Sequence, residues 1–170
     1  MENIGANGSK GGSSFSLPEP ALEYISRFEV ELGSGIYELG RTSDLGNRRI
    51  IPITGGKFEG PLLSGNILNN GADWQIVTGD GLAIIDTRYL LQTHDGALIY
   101  LQTQGFRYGP PEVLAKLAEG KPVDPRKYYF RVYMHFETSA PQYLWLNRTM
   151  GIAIAMRLGS SVVYDAYRIN

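Results

Sequence analysis

Asp86 and Arg88 are residues suited to acid–base chemistry on a small molecule. In a β-strand their side chains lie on one face, while those of Thr87 and Tyr89 lie on the other. A carboxylate can remove or return a proton, and a guanidinium can stabilise the enolate or phenolate that forms. We therefore predict catalytic roles for Asp86 and Arg88 and a substrate-binding role for Tyr89.

A second alternating segment begins at Tyr128. It has one apolar face and one face of polar and aromatic side chains, the latter consisting of Tyr129, Arg131, Tyr133, His135 and Glu137. We predict catalytic roles for Arg131 and for His135, which shares a face with Arg131 and Glu137, and a substrate-binding role for Tyr133. The alternative for His135 is a strand histidine whose ring is simply hydrogen-bonded.

Periodicity alone leaves two interpretations of these polar faces open. They form the solvated exterior of a two-faced sheet, or they line a barrel interior that holds a ligand. Tyrosine beside arginine and aspartate suits a pocket in which an apolar ligand needs a few well-placed polar groups. We therefore expect an inward-facing set around Asp73, Asp86, Arg88 and Arg131.

Asp73 and Trp74 enter a predicted strand directly after the turn-forming residues 69–72. We predict that Asp73 is an acid or base and that Trp74 binds substrate as a pocket wall. An apolar wall would raise the pKa of the Asp73 carboxyl and fit it for proton transfer near neutral pH. In the alternative, Asp73 accepts hydrogen bonds from turn amides and Trp74 packs in the core.

Residues 143–148 bring aromatic rings next to an amide and a guanidinium. We predict that Tyr143, Trp145 and Asn147 bind substrate, since such groups can contact a carbonyl or a developing enolate oxygen. The alternative is a loop in which Tyr143 and Trp145 pack into the core and Asn147 ends the turn.

The composition limits what such a site can contain. The net charge of -1 and pI of about 6.1 provide no basic field to attract nucleic acid or a membrane surface, and no apolar run is long enough for a membrane helix. There is no cysteine, the two histidines are far apart, and no nucleotide-binding glycine motif occurs. We therefore expect a cytoplasmic protein that uses neither metal nor cofactor.

The elements that must position these residues are short strands. We predict a flexible N-terminal tail over residues 1–20 and a single domain over residues 21–170. Short apolar segments between turn residues predict strands over 24–32, 49–53, 61–67, 74–77, 82–92, 97–103, 128–138, 152–158 and 162–169. One short helix is predicted between Pro110 and Gly120, and Gly55-Gly56 and residues 79–81 are predicted as turns. The fold class is all-β, an antiparallel closed barrel, because closure removes exposed strand edges.

Several motifs occur in the order found in one known family. They are Gly55-Gly56-Lys57-Phe58-Glu59-Gly60, Gly71-Ala72-Asp73-Trp74, Asp86-Thr87-Arg88-Tyr89, Thr93-His94-Asp95-Gly96, Tyr129-Phe130-Arg131 and Tyr143-Leu144-Trp145-Leu146-Asn147. Over residues 22–169 the chain resembles the uncharacterised β-barrel family named domain of unknown function 3237. The resemblance implies a barrel like that of allene oxide cyclase, with the matched polar residues gathered at one cavity.

The same resemblance suggests a reaction. Some fungal members are similar to a non-plant chalcone isomerase, which closes a flavanone ring by adding a phenol oxygen to an enone, and residues 107–111 and 123–125 resemble the fungal branch more than the bacterial one. We expect a cofactor-independent isomerase or cyclase of secondary metabolism, acting on an aromatic or polyketide-derived small molecule. The alternatives are a small-molecule carrier without turnover and a cofactor-free hydrolase or dehydratase. A homodimer is compatible with an edge strand near either terminus.

Overall fold

Antiparallel strands make up most of the computed structural model, which describes residues 15–170. Residues 1–14 of the predicted tail lie outside the described residues, and residues 15–21 precede the first strand without regular structure. Two strands, β1 and β2, span Leu22–Leu32 and Tyr37–Ser43; the others, β3 to β10, span Gly46–Glu59, Gly65–Ile67, Gly71–Val77, Ala83–Thr93, Leu98–Tyr108, Tyr129–Glu137, Gly151–Arg157 and Ser161–Ile169. None of the helices in this part of the chain is long and apolar enough to cross a membrane.

The strands close into an antiparallel barrel with eight strand positions. Neighbours around the barrel run β1, β10, β9, β8, β7 and β6, followed by β4 and β5, which share one position, and then β3. The barrel closes because β3 pairs with β1 on one side and with β4 and β5 on the other. The prediction of an all-β, closed antiparallel barrel is confirmed.

The Gly55-Gly56 pair lies inside β3, so its prediction as a turn is wrong. Both glycines have positive φ, 153° and 126°, and the register between β1 and β3 shifts beside them. A β-carbon on Gly56 would lie 2.0 Å from the carbonyl oxygen of Glu29. The two glycines therefore allow β3 to continue through a bulge and change pairing partners, where turn chemistry predicted an end.

Other boundaries differ for identifiable reasons. β2 was not predicted, because all of its side chains are exposed and it has no burial pattern. The predicted strand over 61–67 shrinks to β4, and β7 extends to Tyr108, beyond the predicted end at residue 103. The β6–β7 hairpin and the turn over residues 79–81 form as predicted, and the predicted helix is α1, Pro111–Ala118.

α1 lies at the end of the barrel where β7 and β9 end and β6 and β10 begin. Its residue Leu114 lies against Gly81 in the β5–β6 turn, and Gly120, after the helix, lies against Gly159 in the β9–β10 turn. Val113 and Leu117 belong to the apolar cluster that fills the barrel. Two 3-10 helices, Pro125–Lys127 and Pro141–Arg148, flank β8.

The opposite half of the barrel is filled with apolar side chains. Phe28 stacks on Phe58 and on Tyr164, with ring centroids 5.1 and 4.7 Å apart. The other fully buried large side chains of this interior include Leu91, Ile99, Leu101 and Phe136. A cavity remains on the α1 side of this packed half.

Replacing Gly56 by alanine tests the bulge that lets the barrel close. We expect Gly56→Ala to lower the free energy of unfolding by more than about 2 kcal/mol, because the new β-carbon meets a backbone carbonyl at a φ that favours glycine. Gly79→Ala is the matched control, since a β-carbon there meets nothing within 4 Å, and it should change stability by less than about 0.5 kcal/mol. Urea unfolding measures both, and equal effects would contradict this role of the bulge.

Candidate functional site

A cavity lies inside the barrel between the packed half and the α1 end. Its apolar lining comes mostly from β1, β3, β6, β8, β9 and β10. Its polar lining residues are Asp73, Gln75, Thr87, Tyr89, Thr103, Arg107, Arg157 and Tyr164. The free volume is about 50 Å³, enough for a few water molecules at roughly 10–15 Å³ each. A ring-sized ligand therefore requires lining side chains to move.

Two tyrosines form the floor of the cavity. The hydroxyls of Tyr89 on β6 and Tyr164 on β10 are 2.5 Å apart and hydrogen-bonded, and these strands lie on opposite sides of the barrel. Burial raises the pKa of both phenols above the ordinary range for tyrosine. Both side chains are therefore neutral hydrogen-bonding groups at physiological pH. Tyr89 lines the cavity, and its predicted substrate-binding role stays a prediction.

Asp73 is a buried carboxyl in the wall of this cavity, with 8% of its surface exposed. One oxygen accepts a hydrogen bond from the backbone N–H of Asp86 at 3.1 Å, and the other accepts one from Gln75 Nε2 at 2.8 Å. The first partner is a strand amide, so the alternative in which turn amides hold Asp73 is wrong. Burial raises the pKa of Asp73 to about 6, because desolvation outweighs these hydrogen bonds and the nearby arginines.

Three arginines surround Asp73 at the α1 end. Arg49 donates hydrogen bonds to Gln75 Oε1 at 2.8 and 2.6 Å, which links it to Asp73 through the amide. Burial, together with Arg49 and Arg157, lowers the pKa of Arg107 to about 10, and burial also lowers the pKa of Arg157. The Nε of Arg107 and the Nη1 of Arg157 are buried and have no hydrogen-bond partner among the described residues.

Asp86 and Arg88 lie on the outer face of the barrel, so the expectation that they face inward is wrong. The Asp86 carboxylate accepts hydrogen bonds from Gln102 and Gln104 at 3.1 and 3.0 Å and pairs with Arg88 at 3.1 Å. On β6 the inward positions are those of Ile85, Thr87 and Tyr89. Thr87 bonds to Thr103 at 2.7 Å, so the interior receives hydroxyls that satisfy each other, while the charged pair keeps its contact with water.

The polar face of β8 also points outward, because Phe130 and Val132 occupy the interior. The inward placement expected for Arg131 is therefore wrong; its Nη1 donates to the Phe130 carbonyl at 2.8 Å. Exposed Tyr133 donates a hydrogen bond to Gln104, and His135 Nε2 lies 3.0 Å from a Glu137 carboxylate oxygen.

The remaining predicted substrate-binding residues are also outside the cavity. Trp74 lies on the outer face of β5, where the guanidinium of Arg88 is 5.8 Å from its ring. Tyr143 and Trp145 pack against the apolar cluster. Asn147 binds the backbone N–H and carbonyl of Thr138, both at 2.8 Å. The structure therefore favours a structural role for the 3-10 helix Pro141–Arg148.

Arg107, Arg157 and Gln75 line the cavity but were missed from the sequence. Arg107 lies beyond the predicted end of its strand. Arg157 lies within a predicted strand and shares the inward face with Ala153 and Ala155, a run of small side chains that could have indicated internal space. Among residues 15–170, no three histidine, aspartate or glutamate side chains are grouped as metal ligands.

The matching family model covers residues 20–169 and is described as a protein of unknown function, DUF3237. This chain belongs to the DUF3237 family. A UPF0311 protein from Rhodopseudomonas palustris is 43% identical to this DUF3237 chain over 150 residues, which are 88% of this chain and 98% of the relative. The family predicted from the motifs is confirmed.

Solved structures share the DUF3237 barrel. A β-barrel-like protein from Acinetobacter baumannii AYE has a TM-score of 0.83 and 60% identity, covering 92% of this chain and 100% of that one. An enzyme from Penicillium herquei has a TM-score of 0.67 and 23% identity, covering 92% of this chain and 99% of that one. Identity is thus higher to the bacterial proteins than to the fungal enzyme, for which the likeness shows the fold alone.

The raised pKa of Asp73 predicts a pH-dependent contribution to stability. Its value in the folded chain, about 6, exceeds its ordinary value of 3.8, so the folded state holds more protons between these pH values. Stability from this group is therefore present at low pH and lost as pH rises through about 6, by at most roughly 1.4 kcal/mol per pH unit.

Urea unfolding of the wild type and Asp73→Asn between about pH 4 and pH 7.5 measures this contribution. We expect the wild-type free energy of unfolding minus that of Asp73→Asn to fall as pH rises and to level above about pH 6. The subtraction removes groups that titrate alike in both proteins. A difference that does not change with pH would show that Asp73 has no raised pKa.

Proposed function

We propose that this DUF3237 barrel is a cofactor-independent isomerase or cyclase that acts on an aromatic or polyketide-derived small molecule inside the barrel cavity. The observation that carries the proposal is Asp73, a buried carboxyl with a pKa raised to about 6 in a mostly apolar cavity. A group that titrates near neutral pH can both accept and return a proton.

Asp73 is held in a fixed orientation for this role. The backbone N–H of Asp86 binds one of its oxygens and Gln75 Nε2 binds the other. Each carboxylate oxygen keeps a further lone pair that can accept a proton from substrate. Because Gln75 is itself bound by Arg49, little reorganisation of this carboxyl is needed during the reaction.

Arg107 and Arg157 take the electrostatic role that the sequence suggested for Arg88 and Arg131. Their guanidinium groups line the same cavity as Asp73 and stabilise negative charge on a substrate oxygen as the proton leaves. Removal of one such donor typically costs an enzyme about 10²–10³ in kcat.

The proposed reaction balances without a co-reactant. In a ring closure of a phenolic enone, the phenol O–H bond and the C=C π bond break, a C–O bond forms, and Asp73 passes the proton to the carbon next to the carbonyl, where the new C–H bond forms. An isomerisation likewise returns the proton that it removes. The barrel neighbour from Penicillium herquei is described as an enzyme, which supports catalysis in a barrel of this shape but not a particular reaction.

Turnover of a panel of phenolic enones and polyketide intermediates tests the proposal. We expect Asp73→Asn to lower kcat/KM by about 10²-fold or more, within the range for loss of a general acid or base, and Asp86→Asn to leave it within about threefold because that carboxylate lies on the outer face. In the wild type, kcat/KM should rise with pH through about 6 if Asp73 acts as the base.

Mass spectrometry of the product separates the competing functions. A product of unchanged mass supports an isomerase or cyclase, and a gain or loss of one water indicates a hydrolase or dehydratase. Saturable binding without conversion across the panel would replace the proposal with a carrier function. Equal activity of Asp73→Asn and wild type would remove Asp73 from the mechanism.

A further inference from the structure

Arg107 and Arg157 leave hydrogen-bonding capacity unused inside the barrel. The Nε of Arg107 is buried and has no hydrogen-bond partner among the described residues. The Nη1 of Arg157 is likewise buried and has no hydrogen-bond partner among the described residues. These are the two buried side-chain polar atoms without a partner in residues 15–170. An unsatisfied buried donor costs roughly 1–3 kcal/mol, and more when it is charged.

The positive charge of this cavity is only partly compensated. Asp73 is the one carboxylate among its lining residues, whereas Arg107 and Arg157 both line it and Arg49 lies close enough to lower the pKa of each. Arg49 pairs with Glu38 at 3.9 Å. Neither Arg107 nor Arg157 forms an ion pair with a carboxylate of the described residues. Buried charges in proteins are normally paired.

The rest of the lining restricts which anion would fit. Leu32, Ile51, Ile85, Phe130 and Val132 are among the apolar walls. Phe130 is paired with Arg107 in the sheet, and the guanidinium is 5.8 Å from its ring. The two orphaned nitrogens, one from each guanidinium, equal in number the two oxygens of a carboxylate, while a phosphate presents more oxygens.

We infer that Arg107 and Arg157 form an anion-binding site, and that the ligand of this barrel is a monocarboxylic acid with an apolar body. The carboxylate binds the two guanidinium groups at the α1 end, and the apolar part lies against the walls above Tyr89 and Tyr164, with lining side chains moving aside when that part is as large as a ring. This inference rests on the proposed function only in taking the cavity to be the substrate site; the binding itself requires no turnover.

Matched pairs of ligands test the site directly. The probes are butanoate and 3-phenylpropanoate, each compared with its neutral primary amide, together with inorganic phosphate. Titration calorimetry and thermal unfolding of the full chain measure binding. We expect at least one carboxylate to bind tenfold or more tightly than its amide, and to raise the melting temperature where the amide does not.

Three arginine variants show which side chains are responsible. Arg107→Gln and Arg157→Gln should each reduce the preference for carboxylate over amide by tenfold or more. Arg126→Gln is the matched control, because Arg126 is exposed and pairs with Asp124 outside the cavity; it should keep the wild-type preference. Without ligand, the Arg107→Gln variant should have a melting temperature no lower than that of the wild type, because the substitution removes a buried charge that has no ion-pair partner.

Several results would overturn the site. They are equal affinity for every carboxylate and its amide, no binding of either by the wild type, a carboxylate preference that survives in both cavity variants, or a response to phosphate alone. The same titrations in Asp73→Asn keep binding separate from catalysis. Carboxylate preference without turnover would support the anion site and contradict the proposed enzyme activity. Turnover of neutral enones without carboxylate preference would support the enzyme activity and contradict the anion site.

Discussion

The pairing of β1 with β3 closes the sheet, and the properties of the interior depend on that closure. β3 reaches β1 by passing through Gly55 and Gly56; the positive φ of both and the close approach of Gly56 to Glu29 suit residues without a side chain. Once the sheet is closed, every second side chain of a strand points into a space cut off from bulk water. Each polar group placed there has to find a partner inside the barrel.

Most of the interior polar groups meet that requirement. Thr87 bonds to Thr103, Tyr89 bonds to Tyr164, and Asp73 is held by a backbone amide and by Gln75. Arg107 and Arg157 each have a buried nitrogen without a partner among the described residues, and both line the cavity at the α1 end of the barrel. A barrel selected for stability alone would replace them with apolar residues. Their presence beside a carboxyl of raised pKa is typical of a site where stability is given up for function.

The sequence predicted the architecture better than the site. Alternation and turn residues identified the barrel, the β6–β7 hairpin and α1, and the family motifs agreed with them. Alternation also showed that Asp86 and Arg88 share a face, but it could not decide which face points inward, because both faces of β6 carry apolar side chains such as Ile84 and Ile85. That choice depends on pairing with β5 and β7, which brings together residues distant in sequence. Arg107 was not predicted as a site residue because its strand, β7, continues past the predicted end.

The hydrogen bond between Tyr89 and Tyr164 has a consequence for the size of any guest molecule. It spans the barrel between opposite strands, and the stack of Phe28 on Tyr164 and Phe58 supports it from below. A molecule that enters from the α1 end can advance no further than these two hydroxyls. For the acid inferred above, whose carboxylate is held at the α1 end, the depth between the two guanidinium groups and these hydroxyls therefore sets the longest apolar body that fits.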